Sequence, residues 1–368
     1  MKIAIVHELL TVRGGAERVA RVFADMFPDA PVYTLLYNEV KLGEWFPASR
    51  VRTSSLQRFA RFSTNHHLYL SAFPRAVEAW DFSEFDLILS SSSAFAHGIM
   101  SNGKPRHLCY VHSPARYLWD STHEVQERAG EGIAGPLRQA YLRRILPALR
   151  VWDTETASRP DYLLANSTEV QRRIQQYWRR DSTILYPPVD DFWFEPGQKK
   201  TDTGTPYFLI VSTLARYKCI DIAILACNKL RKTLHIVGEG PDAARLQSLA
   251  GPTIHFHGRL PNEDVRSMYA SADAVLFPGH DDFGLVPVEA MASGTPVIAY
   301  RAGGATETVA DGTTGLFFSQ PSADSLAETL THFKKSDFDK HACTNHAKQF
   351  SRQRFEDGIH RHIEKMMN

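Results

Sequence analysis

Two doubly wound α/β units, each built on a mostly parallel sheet, are what this sequence predicts, and three observations carry the prediction. Short apolar runs alternate with helix-length amphipathic segments along the whole chain, the pattern of helices covering both faces of a parallel sheet. The alternation breaks once, at Tyr186-Pro-Pro-Val-Asp190 and the turn-rich stretch from Glu195 to Pro206, and then resumes. The 368 residues exceed what one ordinary core organises, whereas two units of about 150 to 200 residues are usual.

In the first unit, residues 1–190, the predicted strands are Lys2 to Val6, Val32 to Tyr37, Leu87 to Ser92, His107 to Val111, Tyr162 to Asn166 and Thr183 to Tyr186. Each is short, apolar and closed by polar or turn residues, as in strands buried on both faces. The first leads through Arg13-Gly14-Gly15-Ala16-Glu17 into a helix whose apolar positions Val19, Val22, Phe23, Met26 and Phe27 keep helical spacing. The second unit, residues 191–349, repeats the scheme with Tyr207 to Ser212, Leu234 to Val237, Thr253 to His257, Ala274 to Phe277 and Pro296 to Tyr300. A polar-amphipathic helix fills residues 350–368, and packing back onto the first unit is one placement for it. Ligands of open parallel sheets bind beyond the carboxyl ends of the strands, so two such units facing each other across a cleft are expected to hold one substrate each in strand-end loops.

Composition bounds the class. A hydrophobic content of 43%, a charged content of 23% and a formal net charge of +1 describe an ordinary globular protein and give no reason to expect nucleic acid. The run Met1 to Val6 reads as a buried strand, and His7 and Glu8 follow too soon for a signal peptide. No apolar segment approaches the ~18 residues of a membrane span. Four cysteines, Cys109, Cys219, Cys227 and Cys343, lack metal-ligand or disulfide spacing. A cytoplasmic protein is expected.

Two segments carry chemistry by their own composition. Gly14 and Gly15 precede a helix, where missing side chains let a phosphate approach backbone N–H groups at the positive end of the helix dipole; a tight strand-to-helix turn accounts for them equally well. The segment His280-Asp-Asp-Phe-Gly-Leu-Val-Pro-Val-Glu-Ala-Met-Ala-Ser-Gly294 follows a strand, and a helix is expected to start near Val286 or Pro287 and stop at Ser293-Gly294. Asp281 then lies in the loop and Glu289 about one turn into the helix, so that their carboxylates accept hydrogen bonds from two parts of one ligand. The alternative is that Asp281 or Asp282 caps the helix and Glu289 is a surface residue favoured by the dipole.

The spacing of Asp281 and Glu289 resembles the two-acid motif of family 4 retaining glycosyltransferases of the GT-B fold, and Gly303-Gly304-Ala-Thr-Glu-Thr-Val309 continues the likeness. So do Gly14-Gly15-Ala16-Glu17, Tyr110-Val-His-Ser-Pro-Ala-Arg-Tyr-Leu-Trp-Asp120, Val151-Trp-Asp153, Leu164-Ala-Asn-Ser167, Tyr186-Pro-Pro-Val-Asp190, Tyr217-Lys218, Val237-Gly-Glu-Gly-Pro241 and Gly258-Arg-Leu260, in order through both units. Among such enzymes the chain most resembles bacterial mannosyltransferases of exopolysaccharide and O-antigen synthesis.

The resemblance implies a retaining transferase that needs no catalytic metal and no cofactor. It would use a nucleotide diphosphate sugar, GDP-mannose, as donor and a glycan or polyprenyl-diphosphate-linked acceptor. Glu289 would hold the donor ribose and Asp281 a hydroxyl of the transferred sugar, with backbone contacts from Phe283, Gly284 and Leu285. Lys218 would neutralise the diphosphate, Gly14 and Gly15 would approach the same diphosphate or the acceptor, and His112 would stand beside the transferred sugar. Gly238, Glu239, Arg259 and Leu260 would lie near the base.

The chain departs from the family pattern in three places. Thr213 stands where the family carries an arginine five residues before the lysine, and Arg216 is the expected replacement for it. Asp281 replaces the usual glutamate, shortening its reach by one methylene, and His97-Gly98 stands where relatives carry Lys-Gly. A catalytically degenerate nucleotide-sugar-binding subunit and a transferase using a UDP- or dTDP-sugar therefore stay as alternatives. Asp337-Phe-Asp339 matches an Asp-x-Asp pattern but lies in a charged helical region, so no metal site is expected. His66-His67 with Arg58, Arg61 and Arg75, and the arginine-rich stretch Leu137 to Trp152, fit either peripheral contact with an anionic membrane or core packing with solvated arginines. Pro147 is expected to interrupt a simple helix in the latter.

Overall fold

The computed structural model describes residues 1–59, 66–130, 132, 134–197 and 206–368. Residues 198–205 of the turn-rich stretch, and Arg61, lie outside them. The chain divides into two units, one made of Met1–Tyr186 with Glu356–Asn368 and the other of Pro187–Phe355.

The first unit contains β1 (Ile3–His7), β2 (Leu9–Leu10), β3 (Val32–Thr34), β4 (Leu36–Tyr37), β5 (Val51–Thr53), β6 (Leu87–Ser92), β7 (Arg106–Val111), β8 (Tyr162–Ala165) and β9 (Thr183–Ile184). Seven of these make one parallel sheet in the order β5-β3-β1-β6-β7-β8-β9, and β2 pairs with β4 apart from it. Every residue of β1 and β6 is buried, including the polar His7 of β1 and Ser90, Ser91 and Ser92 of β6. The single strand expected over Val32 to Tyr37 is two: the amide of Leu35 turns to the carbonyl of Glu8, and Leu36–Tyr37 then pairs with β2. Sequence reading missed β5, an edge strand in which only Val51 is buried.

The second unit contains β10 (Phe208–Val211), β11 (Leu234–Val237), β12 (Ile254–Phe256), β13 (Ala274–Phe277), β14 (Val297–Tyr300) and β15 (Gly315–Phe318). They form a parallel sheet in the order β12-β11-β10-β13-β14-β15. The edge strand β15, which opens on a glycine, was also unforeseen. In each sheet the strand order reverses beside the first strand, between β1 and β6 and between β10 and β13. Such a reversal splays the following loops apart and leaves a crevice at the carboxyl ends of those two strands.

Among the helices are α1 (Gly15–Met26), α2 (Gly135–Thr156), α3 (Leu285–Ala292) and α4 (Arg352–Met367). The expected stripe of α1 buries Val19, Val22 and Phe23, while Phe27 ends the helix. Pro147 does not interrupt α2. The helix runs through it with Leu142, Leu146, Leu149, Asp153 and Thr156 on its buried side, and the three leucines enter the core of the first unit with Ile88 and Phe95. Core packing therefore uses most of the apolar residues that the membrane reading would place on a lipid surface, although Leu137 and Val151 are exposed. No helix among the described residues is long and apolar enough to cross a membrane. In α4, Ile359 and Ile363 are buried, and His360 and His362 lie against Phe27 and Tyr162 of the first unit.

Candidate functional site

Each crevice gathers ionisable side chains. In the second unit the short turn Arg216–Lys218 follows β10, and the loop Gly279 to Gly284 follows β13. Gly279 brings them together, because a Cβ there would stand 3.0 Å from the backbone of Lys218. Nζ of Lys218 donates to Oδ2 of Asp281 at 2.5 Å, and both side chains are largely buried. The other carboxylate oxygen of Asp281, Oδ1, is buried without a hydrogen-bond partner. A buried acceptor in that state costs about 1–3 kcal/mol, and a hydroxyl donor from a ligand is the group that relieves it.

The helix α3 starts one residue earlier than expected, at Leu285, with Gly284 as its N-cap at φ +83°. Gly284, rather than Asp281 or Asp282, occupies its N-cap position. The amides beginning α3 carry the positive end of its dipole. Phe283 turns its ring against Phe350, and the residue as a whole is buried. Gly303 and Gly304 back this loop. A Cβ on Gly304 would stand 2.2 Å from Cα of Phe283, and its amide donates to the carbonyl of Asp281 at 2.9 Å. Glu289 is not a surface residue. It is 5% exposed, and the hydroxyl of Tyr269 reaches its Oε2 at 3.4 Å.

Arg216 is 69% exposed, and its Nε is 3.9 Å from Asp242, a carboxylate already held by two nitrogens of Arg245. The guanidinium is thus loosely tied and shares a turn with Lys218. Gly238, Glu239, Arg259 and Leu260 occupy neighbouring loops after β11 and β12, joined by the amide of Gly238 donating to the carbonyl of Gly258 at 2.7 Å. Gly238 has φ +134°, and a Cβ on it would strike the carbonyl of Ser212. Glu239 and Arg259 are exposed.

In the first unit the crevice holds residues that sequence reading passed over. Oε1 of the buried Glu8 accepts the amides of Ser93, Ala94, Phe95 and Ala96 at 2.6–3.2 Å and the hydroxyl of Ser92 at 3.0 Å. Burial opposes that charge, yet His7 and the amides outweigh it and hold the Glu8 carboxyl below its usual range. Burial likewise opposes a charge on His7, and Glu17, Glu8 and the Ser91 carbonyl overcome it, raising its pKa. His112 goes the other way: burial and the neighbouring His7 lower it to about 3, so its imidazole is neutral. Nδ1 of His7 stands 3.1 Å from the hydroxyl of Ser91, which stands 2.7 Å from Nε2 of His112. The signal for His7 and Glu8 was their place at the end of a central strand, where the sheet reverses.

Gly14 caps α1, and its amide is engaged by Oε2 of Glu17 at 3.1 Å. A carboxylate at that helix start is unfavourable for a phosphate. His97 and Asp153 form a fully buried pair, with the indole N–H groups of Trp119 and Trp178 donating to Asp153 at 2.8 and 2.7 Å. They pack under the Glu8 loop, with Ser92 between them and Glu8. Among the described residues no cluster of three or more His, Cys, Asp or Glu is arranged to hold a metal ion, and Asp339 caps the helix that begins at Lys340.

The comparisons with known proteins bear on the second unit first. The family described as "Glycosyl transferases group 1" matches residues 191–350. D-inositol 3-phosphate glycosyltransferase of Mycobacterium bovis is 29% identical over 209 residues, covering 50% of this chain and 44% of that protein. The chain thus spans under half the length of the curated relatives it matches. HepE from Anabaena in complex with UDP superposes with a TM-score of 0.74 at 19% identity, over 99% of this chain and 100% of that one. HepE with UDP-glucose gives a TM-score of 0.71 at 19% identity, over 98% and 99%. Sucrose-phosphate synthase from Thermosynechococcus elongatus gives 0.72 at 17% identity, over 100% and 99%. Residues 191–350 thus match the group 1 glycosyl transferase model, and the chain has the two-sheet fold of the GT-B glycosyltransferases it superposes on.

Proposed function

We propose that this protein is a glycosyltransferase that takes a sugar from a nucleotide diphosphate donor, with retention of configuration and without a catalytic metal. The observation that carries the reading is the pairing of Lys218 with one oxygen of Asp281, while the other oxygen is buried and unpartnered beside the start of α3. Lys218 and the amides that begin α3 supply positive charge where the diphosphate leaves. Charge grows on that group as the glycosidic bond breaks, so these fixed groups favour the transition state over the ground state. Oδ1 of Asp281 accepts a hydroxyl of the transferred sugar, Glu289 accepts the ribose hydroxyls, and Arg216 supplies the second cation in place of the arginine absent at Thr213. On the first unit, His112 meets the sugar or the acceptor. Gly14 and Gly15 serve the acceptor, because Glu17 disfavours a phosphate there.

Mannose from GDP-mannose, passed to a glycan or polyprenyl-diphosphate acceptor in surface polysaccharide synthesis, is the finer reading, and it rests on the sequence resemblance. A UDP-sugar donor is the second reading, favoured by the likeness to HepE, which was solved with UDP-glucose. Differential stabilisation decides between them. A ligand at 100 times its Kd adds about 2.7 kcal/mol to the folded state. A rise in Tm with GDP and GDP-mannose, lost in Glu289→Ala, supports the first reading, whereas a rise confined to UDP compounds selects the second. No rise with any nucleotide sinks both, whereas a rise without transfer to any acceptor leaves the degenerate-subunit alternative.

A further inference from the structure

His112 is one end of a buried chain that continues through Ser91 and His7 to Glu17. Nδ1 of His7 lies 3.2 Å from the main-chain carbonyl of Ser91 and 3.1 Å from its hydroxyl oxygen. A carbonyl oxygen only accepts, so Nδ1 of His7 carries a hydrogen and donates. On the other side of its ring, Nε2 lies 3.9 Å from Oε1 of Glu17, which favours a hydrogen there as well. The Ser91 side chain is fully buried. Among the described residues its hydroxyl meets two groups, Nδ1 of His7 and Nε2 of His112. The first is a donor, so the hydroxyl hydrogen has Nε2 of His112 as its acceptor, 2.7 Å away. An unused buried hydroxyl hydrogen would cost about 1–3 kcal/mol.

We infer that His7 is a positioning residue which, through Ser91, fixes His112 in the tautomer with its hydrogen on Nδ1, so that His112 offers a ligand oxygen an N–H donor rather than a basic nitrogen. The neutral state of His112 agrees, since burial and His7 lower its pKa to about 3. Glu17 and Glu8 face His7 and favour its charged form, which donates from both ring nitrogens. The ligand atom His112 recognises is therefore an oxygen that accepts a hydrogen bond. This assignment deepens the transferase reading and rests on it only for the identity of that oxygen.

The test is nitrogen-15 NMR of the full chain labelled at histidine, at pH 7 without substrate, with His112 assigned by its loss in His112→Gln. The native protein is expected to show His112 with a protonated Nδ1 and an unprotonated Nε2. His7→Asn, whose amide places an N–H where Nδ1–H was, is expected to keep that tautomer. His7→Leu removes the donor and lets Ser91 accept as well as donate, so a mixture of tautomers is expected. Should His7→Leu not fold, Ser91→Ala asks the same question by removing the donor to Nε2. A native His112 with its hydrogen on Nε2, or a folded His7→Leu or Ser91→Ala protein with an unchanged tautomer, overturns the inference. Because the tautomer is read in the free chain, failure to transfer any sugar would count against the transferase reading alone.

Discussion

Lys218 and Asp281 join the loops after β10 and β13 through one 2.5 Å bond, Nζ to Oδ2, across the place where the second sheet reverses. Neither residue is near the other in sequence, and Gly279 permits the close approach of the two loops.

Removing one partner of this pair leaves a largely buried charge alone. Lys218→Met is expected to lose a few kcal/mol of stability, within the ~3–5 kcal/mol typical of a broken buried pair. Transfer is expected to fall by roughly 10² to 10³, the usual effect of deleting a donor that meets developing charge. Lys218→Met with Asp281→Asn should regain part of the stability and none of the activity. Urea denaturation and single-turnover assays of the two single variants and the double variant check this. Full recovery of transfer in the double variant would remove Lys218 from the chemistry.

Asp281→Asn alone keeps the shape but loses the charge and one acceptor. Hydrogen bonds to a charged group are worth about 1.5–3 kcal/mol, so donor turnover is expected to fall roughly tenfold to a hundredfold. Binding of the free nucleoside diphosphate, which lacks the sugar, should be nearly unchanged by calorimetry. An equal loss for both ligands would place Asp281 away from the sugar.

Gly304→Ala would put a methyl group into the backbone of Phe283. Overpacking of this kind costs about 1–3 kcal/mol, and here the yielding element is the loop that carries Asp281. Nucleotide-sugar binding measured by thermal shift is expected to weaken at least tenfold in a chain that still folds. Unchanged binding would mean that the loop takes up the methyl group elsewhere.

Acid should destabilise this protein well before carboxylates protonate. His107 is fully buried, and burial lowers its pKa from 6.5 to about 3. The unfolded chain therefore binds a proton that the folded chain refuses, and stability falls as pH drops from 6.5 towards 3. The slope is about 1.4 kcal/mol per pH unit for each such proton. His112 adds to it in the same direction, and the lowered pKa of Glu8 extends the loss below its ordinary 4.5. His7, with a raised pKa, opposes: its contribution is complete below 6.5 and disappears as pH rises through its folded value. Urea midpoints between pH 7.5 and 4.5 measure the slope, and His107→Gln should flatten it. An unchanged slope in that variant would assign the acid loss to other groups.

Much of the fold was legible in the residues alone. Leu87–Ser92, Leu234–Val237 and Ala274–Phe277 are strands as read, because an apolar run bounded by polar residues has few other uses in a doubly wound unit. The edge strand Val51–Thr53 was illegible because Val51 is its one apolar residue, and the short run Gly315–Phe318, which opens on a glycine, was passed over. Asp281 and Glu289 could be named from local pattern and Lys218 from the family resemblance, and the structure brings Lys218 to Asp281. What pattern could not reveal was Glu8 accepting four amides from a loop more than eighty residues away, or a serine joining two histidines. Those depend on strands side by side in space, β1 next to β6 and β6 next to β7, which a linear reading does not line up.

The return of α4 to the first unit bears on how the protein is made. During synthesis the segment up to Tyr186 emerges first, yet Ile359 and Ile363, which are buried, leave the ribosome only after the whole of Pro187–Phe355. The unit begun first is thus completed last, and until then the surface that receives α4, around Phe27, Leu185 and Tyr162, stays uncovered. A chain truncated before Glu356 would carry the whole of the second unit and an incomplete first one, with apolar surface left uncovered.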